Sequence, residues 1–316
     1  MTYSENVARP NIFVVGDAKC GTSTLYRMIQ LAGGIETSLL RKEQHYFSAP
    51  EILANLAGPG DSAIPDRIAR DEASYLAAFA HVRAGTRNVA DVSPSYLKNR
   101  DAAARIRAFA PDARIVVMLR DPAAKVFSQY VHLWSTRQED LPFAEAFALS
   151  AERRRAGFSS MFDYEAGGYY ADAVQHYFDV FGRNRVRVEI FEQLLGADPG
   201  PRRALGAFLG ACFDDGPPPR MNVGGRAKDG SLIGALVDNA ALRARVKGYL
   251  PLALRSRLGE KIRAAVKTEK PVMAPEMRDA LRRLYADDAH RLEAIIGRAT
   301  GWPTAGLPET PLDRAA

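Results

Sequence analysis

Residues 11–16, Asn-Ile-Phe-Val-Val-Gly, form a short apolar run that ends in glycine. Such a run reads as a strand buried on both faces of a parallel sheet. Gly21 to Ala32 follow, with Leu25, Met28, Ile29 and Ala32 at helical spacing. A buried strand, a tight glycine loop and a helix thus occur in quick succession. This order points the start of a helix at whatever binds beyond the strand end, as in many nucleotide-binding folds.

The rest of the chain fits that opening. Residues 87–93, 114–120 and 185–191 read as further strands, and helical patterns cover 71–83, 98–109, 121–136, 141–155, 169–182 and 275–298. Asp121-Pro122 is an N-cap and first-turn pair. Alternation of strands and helices predicts an α/β fold with a parallel sheet flanked by helices, and a helical C-terminal part. Hydrophobic residues are 47% of the 316, enough to bury a sizeable core and to exclude disorder for the bulk of the chain. One domain over 1–302 is expected, with a flexible tail over 303–316. Residues 213–230 read as a long Pro/Gly loop. No solenoid repeat is visible. Cys20 and Cys212 form no ligand-spaced pair, which excludes a disulfide scaffold or a zinc ribbon. The first residues resemble no secretory signal, and no apolar run is long enough to span a bilayer. The expectation is a soluble cytoplasmic protein.

The segment Gly16-Asp-Ala-Lys-Cys-Gly-Thr-Ser-Thr24 sits where a phosphate loop belongs. Gly16 and Gly21 keep the spacing of GxxxxGK[ST], but Lys19 precedes the second glycine and Thr22 follows it. Gly21 allows close backbone approach, helix N-terminal amides meet an anion, and Thr22, Ser23 and Thr24 add hydroxyls. Lys19 adds a point charge. Loss of the GK[ST] hydroxyl that holds magnesium argues against an ATPase. Cys20 reads as a small loop residue.

A second cluster follows the strand at 114–120. Arg120 stands at the strand's carboxyl end, where open α/β sheets bind ligands. Lys125, Ser128 and His132 share one helix face, and Arg120 with Ser128 can hold a second phosphate.

Together these sites resemble the sulfotransferases that use the sulfate donor PAPS. The resemblance implies that Lys19, Cys20, Gly21, Thr22, Ser23 and Thr24 bind the 5′-phosphosulfate. It likewise implies that Arg120 and Ser128 bind the 3′-phosphate. Lys42-Glu43-Gln44-His45-Tyr46-Phe47 resembles the K-E-x-H-x-F segment of the heparan-sulfate-type and related bacterial enzymes, in which the Glu is the catalytic base. Asp91-Val-Ser-Pro-Ser-Tyr96 resembles that branch's E-K-S-P-x-Y segment, with Val92 in place of Lys, and Lys125 replaces a common Arg. Residues 226–231 loosely resemble a donor loop and add Arg226, Lys228 and Gly230 as donor contacts.

The chemistry implied is in-line sulfuryl transfer, which rests on charge stabilisation and positioning. Glu43 is the expected base, with His45 sharing the proton work or holding the acceptor and Lys19 neutralising the leaving oxygen. Lys42, His45, Ser93 and Tyr96 are the expected acceptor contacts. The acceptor is a hydroxyl or amine, of a carbohydrate or glycosylated molecule by the same resemblance. No metal is expected, and no nucleic-acid partner. Two rival readings are an atypical P-loop nucleotide kinase, with Asp91 holding magnesium, and a non-catalytic PAP(S)-binding protein. The net charge is +6, and the segment 243–270 carries nine Lys/Arg against two Glu. Part of it reads as an amphipathic helix (Leu258, Ile262, Val266) with a basic face. A solvated face is the preferred reading there, contact with an anionic acceptor or a membrane surface the other.

Overall fold

The computed structural model describes residues 8–83, 85–219 and 270–306. At its centre is a five-stranded sheet of β1 (Ile12–Val14), β2 (Glu36–Thr37), β3 (Val89–Val92), β4 (Arg114–Leu119) and β5 (Val186–Ile190), in the order β2-β3-β1-β4-β5. Every pairing is parallel, and Val14 lies opposite Val92 on one side and Val116 on the other. Successive strand residues face opposite ways, so both faces must be covered. Phe13, Ile115 and Val117 join a cluster with Ile106, Val174 and Tyr177, while Ile12, Val14, Val116 and Met118 pack with Leu25, Ile29 and Leu205. Four strands lie where the sequence patterns at 11–16, 87–93, 114–120 and 185–191 predict them. The edge strand β2 has no apolar run and carries an exposed Glu36, so periodicity does not signal it.

The expected helices follow in order, with two of them altered and with helices the patterns did not place, among them Gly200–Leu209. The pattern over 141–155 splits into Phe143–Ala148 and Ser150–Arg155 at Leu149. The pattern over 71–83 is helical only at Glu72–Ala77 and then tightens into successive turns. Asp121 caps the Pro122–Ser135 helix as predicted, accepting from the Ala124 amide at 3.0 Å. The long Pro275–Ile296 helix packs beside it, and buried Asp288 accepts from the Tyr170 and Ala171 amides at 2.6 and 3.2 Å. That carboxylate serves the start of the Ala171–Phe181 helix, where amides have no intrahelical partner.

The expected flexible tail does not begin at 303. Thr304 is fully buried and donates to Asp121 Oδ2 at 2.7 Å, so a buried carboxylate holds the chain down there. Residues 307–316 lie outside the described residues, as do Arg226, Lys228, Gly230 and the basic segment over 243–269. No helix among the described residues is long and apolar enough to cross a membrane. The loop after β1, Ser93 after β3, Arg120 after β4 and Phe191 after β5 all leave the carboxyl end of the sheet. All four are therefore delivered to one edge.

Candidate active site

The loop after β1 depends on its glycines. A β-carbon at Gly16 would lie 1.8 Å from the Met118 backbone nitrogen, so only glycine lets the strand end run this close to β4. The Asp17 amide then donates to the Met118 carbonyl at 3.0 Å. The chain turns through left-handed conformations at Lys19 (φ 67°) and Gly21 (φ 86°). For a lysine this backbone costs about 1–3 kcal/mol, and surrounding contacts must hold it. Arg120 provides one, donating from Nη1 to the Lys19 carbonyl at 3.3 Å. The Thr22–Ala32 helix starts directly after the turn, so its first amides have no i−4 partner inside the helix.

Three cations gather at this helix start. Burial lowers the pKa of Lys19, and the neighbouring charges of Arg120 and Lys42 lower it further. Lys42 donates to Thr22 Oγ1 at 3.1 Å and to Ser23 Oγ at 3.0 Å. Arg120 lies over the Phe191 ring at 4.7 Å, and its buried Nε has no hydrogen-bond partner among the described residues. Mutually repelling cations at a helix N-terminus suit an anionic ligand. Ser128 and His132, on the Pro122–Ser135 helix, line the same cleft. Burial, with Lys19 adding to it, pushes the His132 imidazole down to about 4. Lys125 also borders the cleft but is buried and committed elsewhere. Its Nζ donates to Gln129 Oε1 at 2.7 Å and to the Gly167 carbonyl at 2.9 Å, and lies 3.1 Å from Asp17 Oδ2. Lys125 therefore anchors the loop through Asp17.

Glu43 stands on the other side of Lys42. Its Oε1 is 2.7 Å from Lys42 Nζ, and its Oε2 is 3.3 Å from His45 Nε2. Burial alone would raise the carboxyl's pKa, but the hydrogen bonds and charges of His45 and Lys42 outweigh it and hold it at about 2. His45 Nδ1 shares a 2.8 Å hydrogen bond with Ser95 Oγ, and Ser95 shares another with Ser48. The segment is not extended, because His45 is left-handed at φ 55°. Its geometry is set from beneath. The Gln44 and His45 amides donate to Ser93 Oγ at 2.9 and 3.3 Å, and Ser93 donates to Asp91 Oδ1 at 2.6 Å.

This network corrects three expectations. Ser93 and Tyr96 do not border the cleft as acceptor contacts; both are fully buried and donate to Asp91, Tyr96 at 2.7 Å. Asp91 is 1% exposed and accepts from Ser93, Tyr96 and Tyr75, so it cannot hold magnesium for a kinase. Cys20 is also fully buried and faces the Tyr170 hydroxyl, and burial pushes its thiol up to about 12. Its Sγ donates to the Ala18 carbonyl at 3.7 Å from beneath the loop, so only its backbone is left to meet a ligand.

One cleft of about 1010 Å³ is lined by Lys19, Gly21, Thr22, Ser23, Thr24, Lys42, Glu43, His45, Arg120 and Ser128. Ser95, Phe191 and Leu195 line it too and were not foreseen. Phe191 packs so closely on the loop that a β-carbon at Gly21 would meet its ring at 2.6 Å. The only signal for Phe191 in the sequence is its place at the end of the stretch 185–191 read as a strand. Among the described residues, no cluster of His, Cys, Asp and Glu has the arrangement to hold a metal ion.

Residues 10–215 match the sulfotransferase family. The chain belongs to that family. A sulfotransferase structure from Alicyclobacillus acidocaldarius superposes with a TM-score of 0.70 at 34% identity, covering 92% of this chain and 97% of that one. Human heparan sulfate glucosamine 3-O-sulfotransferase 3B1 is 30% identical over 119 residues, 37% of this chain and 30% of its own length. The mouse 3B1 protein is 25% identical over 214 residues, 66% of this chain and 48% of its own length. The match thus spans less than half the length of these curated relatives.

Proposed function

We propose that this sulfotransferase moves the sulfuryl group of PAPS to a hydroxyl or amine of an acceptor and releases PAP. One observation carries the reading. A carboxylate, Glu43, stands beside a cationic helix start, linked to it by Lys42 and braced by His45. In this reading the loop over 16–24 holds the 5′-phosphosulfate on backbone amides and on the Thr22 and Ser23 hydroxyls. Arg120 and Ser128 hold the 3′-phosphate, with Phe191 as the apolar wall beside Arg120. Glu43 takes the acceptor proton as the acceptor oxygen or nitrogen bonds to sulfur. The bond from sulfur to the 5′-phosphate oxygen breaks, and Lys19 neutralises the charge left on that oxygen. The positive charge required comes from Lys19, Lys42, Arg120 and the helix N-terminus.

For the acceptor we propose a carbohydrate or glycosylated molecule, on the strength of the heparan sulfate relatives' names and the resemblance of Lys42-Glu43-Gln44-His45 to the K-E-x-H segment. The organised Glu43–His45–Ser95 chain favours catalysis over mere PAP(S) binding. Calorimetry with PAP in the presence of a chelator, with ATP-Mg as control, tests the donor, and labelled sulfate transfer to an acceptor panel tests the reaction. Magnesium-independent PAP binding and transfer are expected. Preference for ATP-Mg would overturn the reading.

A further inference from the structure

The phosphate loop lacks the lysine that normally follows its second glycine, and Thr22 stands there. The structure brings a lysine to the same spot from another part of the chain. Lys42 Nζ lies within 3.1 Å of Thr22 Oγ1 and 3.0 Å of Ser23 Oγ, the hydroxyls at the first turn of the loop's helix. The same ammonium lies 2.7 Å from Glu43 Oε1. One cation therefore touches both the place where the donor's anion binds and the base that acts on the acceptor. It cannot serve both fully, because an ammonium has three donors and its strongest attraction goes to the nearest concentrated negative charge.

We propose that Lys42 couples donor binding to the base: it holds Glu43 in an ion pair while the loop is empty and turns to the donor's phosphosulfate when the loop fills. This rests on the reading of Glu43 as the base and deepens it. The charged and titratable groups that face Glu43 are Lys42, His45, Lys19 and His132. Of these, Lys42 alone also bonds the loop hydroxyls. With Lys42 paired and His45 bonded, the carboxylate is too weak a base for an alcohol. Release from Lys42 raises its basicity only when a donor is in place, so proton removal waits for a sulfuryl group to transfer.

A double-mutant cycle on PAP affinity tests the exchange. Glu43→Gln frees Lys42 for the phosphate, so it binds PAP about three- to fivefold more tightly than the unmodified protein, the upper part of the range for a partly exposed ion pair. In the Lys42→Met background the same change gains less than about twofold. Lys42→Arg restores the coupling. If Glu43 merely repels PAP, the order reverses: without Lys42 to screen it, Glu43→Gln gains as much or more in the Lys42→Met background, and the proposal is overturned. Lys42→Gln takes the place of Lys42→Met in the cycle if the latter does not melt cooperatively. Sulfate transfer by Glu43→Gln reports separately on the base. Retained transfer removes the base assignment, whereas a reversed cycle with transfer lost removes only the exchange.

Discussion

Arg120 offers the sharpest test of how the donor is held. In the free protein its contacts are modest: one 3.3 Å hydrogen bond to the Lys19 carbonyl, a face on the Phe191 ring and a 4.0 Å approach to Glu192. Its Nε is buried and has no hydrogen-bond partner among the described residues. Such a guanidinium has donors in reserve for a phosphate, so Arg120→Ala removes more from the complex than from the fold. A hydrogen bond to a charged group contributes about 1.5–3 kcal/mol, which is about ten- to a hundredfold in PAP affinity. Arg120→Lys keeps the charge but loses the fork and the ring contact, so it recovers only part of the loss. The assay is calorimetry with PAP and with adenosine 5′-phosphosulfate, which lacks the 3′-phosphate, alongside thermal melts to confirm folding. Affinity for the second ligand should change by less than about threefold, because loss of Arg120 also relieves the repulsion on Lys19. Equal weakening for both ligands would show that Arg120 does not serve the 3′-phosphate.

Glu43→Gln should lower turnover by about 10²–10⁴, read by labelled sulfate transfer, and a loss under tenfold would move the base to His45. Lys19→Ala should lose both PAP affinity and turnover, since it meets the donor before and during transfer. Ser93→Ala leaves the Gln44 and His45 amides and a buried Asp91 oxygen unpaired, so chemical denaturation should report a loss of about 1–3 kcal/mol. The Glu43 carboxyl is lowered from 4.5 to about 2 by folding, so its stabilisation is complete above the unfolded value and disappears as pH falls through 2. The melting temperature of Glu43→Gln should accordingly lie below that of the unmodified protein at pH 6 and converge with it towards pH 2–3. Because the side chain is one-third exposed, the gap corresponds to about 1 kcal/mol. A thiol reagent should label exposed Cys212 and spare buried Cys20 in the native state, giving one reactive thiol of two.

The apolar runs at 11–16 and 114–120 were enough to place two strands, because a strand buried on both faces must be apolar almost throughout. By contrast, 185–191 alternates Val186, Val188 and Ile190 with Arg187 and Glu189, as suits an edge strand. Gly16 and Gly21 marked the loop, since no other residue suits that close approach and that turn. Asp121-Pro122 marked a helix start, as local capping requires. Edge strand β2, whose pairing comes from β3 and not from its own two residues, left no such trace. The break at Leu149 falls beside Ser150, whose Oγ donates to the Phe147 carbonyl at 2.6 Å and accepts from the distant Glu165 amide at 3.3 Å, contacts that compete with a continuous helix.

The candidate site divides along the same line. The types and order of Lys19, Glu43, His45, Arg120 and Ser128 were legible, because phosphate binding and proton transfer each demand particular chemistry in a short stretch. Which way neighbouring side chains turn was not. Ser93 and Tyr96 read as cleft residues, yet both turn inward to Asp91, because a buried carboxylate must be surrounded by donors. Lys125 read as a cleft cation and instead spends its charge on Asp17 for the converse reason. Lys42 read as an acceptor contact, but the fold sets it between Glu43 and the hydroxyls of Thr22 and Ser23. By itself, then, the sequence determined four strands of the sheet, the glycine loop and the cast of charged residues, all properties of local pattern. The tertiary structure alone decided which charge meets which, because an ion pair depends on distances between segments far apart in the chain, and no local pattern encodes them.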